Sequence, residues 1–506
     1  MSVSGEAALR SSATEEDDAL ALVIAWSAAE PWRVGEVAFF TRLDRPQVLG
    51  HMPAPDGDRA ARVRFFRQRP GQLEPTSPLR GPGISSGELS VRLLGYGLHV
   101  ERQGPCPALF RGAPVARCVL TPGDTLLLKD ELLLWCTRRA RSLPPLRHFP
   151  EACAGSFGDA DAFGLVGESP AAWRLRDQAA FAARSDLHTL ILGPSGAGKE
   201  RVAHATHALS RRAARPLVAR NAATFPPGLV DAELFGNIKN YPNPGMPERP
   251  GLVGAADGGT LLLDEIGELP SSIHANLLRV LDADGEYQRL GEAAARRADV
   301  RLLAATNRPP EALKHDLLAR MTLRLTVAGL EERIEDIPLF VRHLLRRAGE
   351  RSPDLIRRFA RDENGDYCVS GELIEHLLHR RFTTHVRELD GLLWQAIADS
   401  PGSIVTLPGG PDVLLGGQDR RRASGHPPPS QHSDAPRDQR ARSSEPTTEE
   451  IRACIAQEEG NLARASRALG LTSRYALYRL LKKHAIDVAG LRDGRCCPAR
   501  GFARAR

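Results

Sequence analysis

Gly193-Pro194-Ser195-Gly196-Ala197-Gly198-Lys199-Glu200 follows the apolar run Leu190-Ile191-Leu192 and has the spacing of a loop that wraps phosphate. Gly193, Gly196 and Gly198 let backbone N–H groups approach phosphate oxygens. The helix that follows aims its positive end at them, and Lys199 adds a mobile charge for the β- and γ-phosphates. The ligand this implies is a nucleoside triphosphate. Glu200 stands where such loops usually place a Mg²⁺-binding hydroxyl, so the metal has to be held mainly from elsewhere. The stretch Gly258-Gly259-Thr260-Leu261-Leu262-Leu263-Asp264-Glu265 supplies the means, reading as a buried strand that ends in two carboxylates. Asp264 can hold Mg²⁺ and Glu265 can polarise a water. A third strand, Val300 to Asn307, ends in an amide that can reach the γ-phosphate.

Strands that end in such groups suit a doubly wound α/β sheet, in which ligands sit at the carboxyl ends of the strands. This sheet is expected over residues 156–330, followed by a helical lid over 331–402 packed beside it. Before it, from 19 to 142, short apolar runs such as Leu20 to Trp26, Val37 to Phe40, Leu89 to Leu94 and Thr125 to Trp135 alternate with Gly, Pro and Asp. That rhythm predicts an all-β sandwich. Residues 409–446 change to Pro, Ser, Arg, Gln and Asp, too polar to offset the entropy of ordering, and read as a flexible linker. Residues 447–489 then read as short helices around the turn at Gly470, an all-α helix-turn-helix. In its last helix Leu477 and Leu481 face a core. Ser473, Arg474, Tyr475, Tyr478, Arg479 and Lys482 are left for the phosphates and base edges of double-stranded DNA.

With 506 residues and a net charge of +6 the chain is long enough for three or four domains and mildly favours an acidic partner. Its eight cysteines show no paired CxxC spacing, which argues for reduced thiols in the cytoplasm and against a disulfide framework or zinc site. No apolar run reaches the roughly 18–20 residues a membrane span needs, and the start, Met1 to Asp18, is unlike a signal peptide.

Taken together these residues resemble the bacterial enhancer-binding regulators, the AAA+ activators of sigma-54-dependent transcription. Gly167-Glu168-Ser169, the loop ending Gly198-Lys199-Glu200, Arg220-Asn221-Ala222-Ala223, Glu233-Leu234-Phe235-Gly236 and Gly258 to Pro270 match that family in order. The resemblance implies a homo-oligomeric ring that hydrolyses ATP with Mg²⁺ and works on RNA polymerase carrying sigma-54. It implies that Lys199 binds phosphate, Asp264 holds the metal and Glu265 activates water. Asn221 would restrain Glu265 until a neighbour engages, and Asn307 would be the sensor. Arg320 would be the finger that reaches the neighbouring subunit's nucleotide, and Arg387 the lid arginine. The family also has glutamate after the loop lysine, as at Glu200. The C-terminal part resembles a Fis-type DNA-binding domain.

Three stretches depart from the family. Lys314 stands at a second finger position, where it lacks the planar fork of arginine. Thr383-Thr384-His385 precedes Val386-Arg387 where the family has Pro-Gly-Asn. The loop that touches sigma-54 in the family, GAFTGA, is replaced by Asn240-Tyr241-Pro242-Asn243-Pro244-Gly245, stiffened by two prolines. Two readings stay open: an activator that contacts sigma-54, and a DNA-binding regulator that works without that contact. An AAA+ remodelling ATPase with an incidental helical tail is a third.

The N-terminal region resembles a forkhead-associated domain through Leu49-Gly50-His51, Ile84-Ser85-Ser86, Arg111-Gly112 and Leu120 to Asp124. This implies a phosphoprotein partner, although only Ser85 keeps its identity among the phosphate-binding positions.

Overall fold

The computed structural model of the chain describes residues 18–41, 45–50, 61–226, 228–282, 284–361 and 366–407. All of them belong to the unit that ends at Gly425. The linker, the helix-turn-helix and its six proposed DNA-facing residues lie outside the described residues, as does His51.

The α/β part is a five-stranded sheet in the order Leu217–Asn221, Thr260–Asp264, Arg301–Thr306, Thr189–Leu192 and Leu323–Thr326. Every neighbouring pair is parallel. Alternation sorts the strand residues between two cores. Ile191, Leu262 and Leu303 pack with Leu175, Ala179, Val202 and Ala203 of the helices Pro170–Arg184 and Lys199–Ala208. Leu190, Leu261, Leu263 and Leu302 face the opposite layer, which includes Leu234 and Leu277. Both faces of the inner strands are covered, so Thr189–Leu192 and Thr260–Asp264 read as apolar runs.

The N-terminal part is two packed sheets. One holds eight strands in the order Ala113–Pro114, Ala108–Phe110, Thr125–Leu128, Leu132–Ala140, Asp18–Ser27, Val37–Phe40, Phe66–Arg69 and Gln72–Pro75. The other holds Arg117–Leu120, Gly97–Arg102, Leu89–Leu94, Gln47–Leu49 and Ala61–Arg62. Between them lie Leu20, Leu22, Ile24, Leu89, Leu98, Leu126, Leu132 and Leu134.

The lid contains the helices Ile337–Arg351, Gly371–His379 and His385–Asp399. The lid does not simply sit beside the α/β sheet, as its sequence predicts. Its apolar face merges with the outer face of the eight-stranded sheet: Ala21, Val23, Ala25, Leu127, Leu133 and Trp135 share one buried core with Val341, Leu345, Ile374, Leu378 and Leu393. The strand Asp18–Ser27 therefore has Leu20, Leu22 and Ile24 in one core and Ala21, Val23 and Ala25 in the other, and after a register shift between Ile24 and Trp26 the Trp26 ring also packs on the lid side. Polar contacts reinforce the seam. The Trp26 indole donates to the Val369 carbonyl at 2.8 Å, and the Thr125 hydroxyl donates to Glu375 at 2.7 Å. No helix among the described residues is long and apolar enough to cross a membrane.

Candidate functional site

The loop after strand Thr189–Leu192 closes on itself and on the lid. Gly196 has φ +78°, and a Cβ there would stand 2.1 Å from the Thr384 carbonyl oxygen, so no other residue fits. The Val386 N–H donates to the Gly196 carbonyl at 3.2 Å. Arg387 Nη1 lies 3.4 Å from the Ser195 hydroxyl. Glu388 fixes this end of the lid helix by accepting the N–H groups of Thr383 at 2.7 Å and Thr384 at 3.2 Å, and it also accepts from Arg380 at 3.2 Å. Burial works against the charge on Glu388, but these donors outweigh it and hold the carboxyl below its ordinary value.

Lys199 is buried at the start of its helix. Its Nζ donates to the carbonyls of Gly193 at 3.0 Å and Pro194 at 3.3 Å, and it stands 3.7 Å from Glu265 Oε1. Asp264 ends the strand Thr260–Asp264, and Glu265 takes the left-handed conformation, φ +50°, immediately after it. That turn points Glu265 toward the next strand end, where its Oε2 accepts the Asn307 N–H at 3.2 Å. Lysine, two carboxylates and the sensor position thus meet at the carboxyl ends of three adjacent strands.

Asn221 occupies a different place from the one its family resemblance implies. In the parallel pairing it lies directly opposite Asp264, and its Nδ2 donates to Asp264 Oδ2 at 3.2 Å. The amide rests on the metal-binding candidate and not on Glu265. Arg320 is half exposed and pairs with Asp282 of its own chain at 2.7 Å. Glu200 is exposed beside His204. Asn221, Asn307 and Arg320 do not line the cavity described next; Lys199, Glu200, Asp264, Glu265 and Arg387 do.

That cavity, of about 430 Å³, runs from the loop to the lid. Its apolar lining is made by Leu165, Val166, Phe340, Leu344 and Val386, and His343 and Arg347 line it too. Apart from Val386, which precedes the lid arginine, these residues belong to no stretch that the sequence singles out. Only the spacing Phe340, His343, Leu344, Arg347 on the helix Ile337–Arg351 signals one common face. Arg333 is a further residue the sequence does not single out. It is buried over the Phe340 ring at 4.9 Å and donates to the Ala197 carbonyl of the loop at 3.0 Å. Burial pulls its pKa down against the opposing charge of Asp336.

The family model for the Sigma-54 interaction domain matches residues 165–331, from Leu165 of the cavity lining to beyond Arg320. Transcriptional regulatory protein GlrR of Escherichia coli (strain K12) is 32% identical over 336 residues, which cover 65% of this chain and 70% of that protein. The chain belongs to the sigma-54 interaction-domain family of transcriptional regulators. Transcriptional regulatory protein ZraR of Salmonella typhimurium (strain LT2) is 33% identical over 325 residues, covering 63% of this chain and 68% of the relative. Among solved structures, NtrX from Brucella abortus in complex with ADP is similar at 27% identity and a TM-score of 0.43, covering 64% of this chain and 70% of that one. In this member of the sigma-54 interaction-domain family, Arg387 and the lid face of the cavity lie beyond the matched segment.

Proposed function

We propose that the chain is a DNA-binding transcriptional regulator that binds and hydrolyses ATP in a homo-oligomeric ring. The observation that carries this reading is the convergence of Lys199, Asp264 and Glu265 in the lining of a 430 Å³ cavity that also holds an apolar group of residues. A nucleotide fits that polarity, with its base against Leu165, Val166 and Phe340 and its phosphates at the loop. Among the described residues no carboxylate lies within hydrogen-bond distance of Lys199, which donates to loop carbonyls, so phosphate oxygens can replace those acceptors. Asp264 would hold Mg²⁺, which when bound supplies positive charge to the phosphates. Glu265, steadied by the Asn307 N–H, is the base that orients water. Arg320 acts on a neighbour's nucleotide, because in its own chain it points to Asp282, away from the cavity.

RNA polymerase carrying sigma-54 is the partner this reading assigns. Purified protein should stimulate open-complex formation by that polymerase on an enhancer-bearing template only when ATP is present. ATP-independent activity, or none with an ATPase-competent protein, refutes it. One observation favours a second reading, a regulator that binds DNA but does not touch sigma-54. The loop after Gly236 is tied down: buried Asn237 donates to the carbonyls of Ile238 at 3.0 Å, Tyr241 at 3.4 Å and Pro247 at 2.9 Å, and the Asn240 N–H donates to the Met246 carbonyl at 2.9 Å. Ser473, Arg474, Tyr475, Tyr478, Arg479 and Lys482 carry DNA binding in both readings, and footprinting distinguishes a specific operator from general affinity. A phosphoprotein partner for a forkhead-associated-like N-terminal region fits less well, because Ser85 lies against the buried carboxylate of Glu88, which accepts its N–H at 3.0 Å.

A further inference from the structure

A second cavity, of about 440 Å³, lies in the seam between the eight-stranded sheet and the lid. One wall is Ala25, Trp26, Ala28 and Val34; the other includes Val341, Leu345 and Ile374. Well-packed cores leave few voids larger than a water molecule. This volume falls instead in the range of small-molecule sites, roughly 300–1,000 Å³, which favour domain seams. Val34, Val341, Leu345 and Ile374 are all less than 8% exposed, so the wall belongs to the interior.

The wall's polar groups say what kind of molecule it takes. The Trp26 N–H is committed to the Val369 carbonyl. Arg342 and Asp366 pair at 2.9 Å, and Arg346 adds to Asp366 at 2.8 Å. These buried charges are already paired, so an ion against this part of the wall would meet a steep desolvation cost without a free counter-charge. Arg361 also lines the cavity and is exposed; its Nη2 donates to the Ala29 carbonyl at 3.2 Å, and the other N–H groups of its guanidinium can meet one acceptor oxygen on the ligand.

The helix Ile337–Arg351 is a wall of both cavities. Pro338, Val341, Arg342 and Leu345 line the seam cavity, while Phe340, His343, Leu344 and Arg347 line the loop-side one. A molecule that wedges the seam shifts a helix that also forms the other pocket. We propose that the seam cavity is an effector site for an uncharged, mainly apolar small molecule, aromatic or alicyclic with one acceptor oxygen, and that its occupancy sets nucleotide affinity through this helix. The second half rests on the nucleotide reading above; the first does not.

The test uses the full chain and the uncharged fluorophore N-phenyl-1-naphthylamine, with 1-naphthol and naphthalene as competitors. One saturable site per chain is expected, with 1-naphthol displacing the fluorophore better than naphthalene. Bound 1-naphthol should also slow alkylation of Cys368, which lines the cavity, as read by peptide mass spectrometry. Ala28→Trp, filling the space, should weaken fluorophore binding at least tenfold. Should that variant misfold, the Cys368 protection in the unaltered protein decides alone. No saturable binding, or binding that leaves Cys368 unprotected, overturns the site. Saturating 1-naphthol should shift ATP affinity by something on the order of 5–150-fold, and ATP should shift naphthol affinity equally. An unshifted ATP affinity in protein that binds both molecules overturns the coupling. Protein that protects Cys368 but never binds ATP overturns the nucleotide reading and leaves the effector site standing.

Discussion

Arg139→Ala is expected to destabilise the protein far more than a typical arginine substitution, because Arg139 is buried where the N-terminal sheet meets the α/β part. Its Nη1 stands 3.1 Å from Glu335 Oε2, an ion pair without the alignment of a hydrogen bond. Its Nη2 donates to the Glu168 carbonyl at 2.7 Å and its Nε to Gln68 at 2.7 Å. The pair is 2% and 12% exposed, so solvent screens little of it. Removing one partner of such a pair costs about 3–5 kcal/mol, a large part of the roughly 5–15 kcal/mol that holds a domain folded. The loss should depend on pH. Burial already pushes the Glu335 carboxyl up, with Arg139 the main opposing influence, so without Arg139 it rises further. An acid whose folded pKa is raised contributes stability that is present below its unfolded value and is lost as pH rises through the folded one. The variant's deficit should therefore be smaller near pH 5 than at pH 8. Urea titrations at both pH values, followed by tryptophan fluorescence and far-UV circular dichroism, measure it. Arg139→Met combined with Glu335→Leu should recover most of the stability, because an apolar replacement removes the stranded charge. A deficit below about 1 kcal/mol for Arg139→Ala, or one equal at both pH values and unrelieved by the double substitution, refutes the reasoning.

Lys199→Ala should abolish tight ATP binding in a fluorescent-nucleotide titration, whereas Glu265→Gln should keep ATP bound and stop turnover. Arg320→Ala should lower hydrolysis, by up to the 10³–10⁵-fold typical of arginine fingers, without weakening binding to an isolated subunit. Mixing it with Lys199→Ala protein should restore part of the rate, and co-assembly without rescue would place Arg320 outside the reaction. At pH 8, iodoacetamide should reach Cys368 well before Cys106, Cys118 and Cys136, whose thiols burial pushes up to about 11, about 11 and about 12. Equal labelling rates in the native protein would contradict that burial.

The loop and the carboxylates were legible because their chemistry constrains local sequence. A phosphate cradle needs glycines and a lysine at fixed spacing, and Asp264-Glu265 follows an unbroken apolar strand. Asn221 was harder. Its partner is set by strand register, which puts it opposite Asp264, and register between separate strands has no local sequence mark. Arg333 reaches Ala197 across the tertiary fold, and nothing near either residue announces the bond. The union of sheet and lid did leave a trace. Leu20 to Trp26 is apolar without alternation, as a strand covered on both faces must be. A sandwich alone covers only one face of each sheet, so that run contained the second core.

The shared core bears on how such a protein can be rearranged. Regulators built as strings of independent modules can exchange an input module by recombination within a linker. Here a cut between Leu143 and Gly158 would leave Val341, Leu345, Ile374 and Leu378 facing water, and an unrelated input module would not cover them. Any replacement must present a face shaped like Ala21, Val23, Ala25, Leu127 and Trp135. The N-terminal region is thus inherited together with the lid, and the two can change only in step.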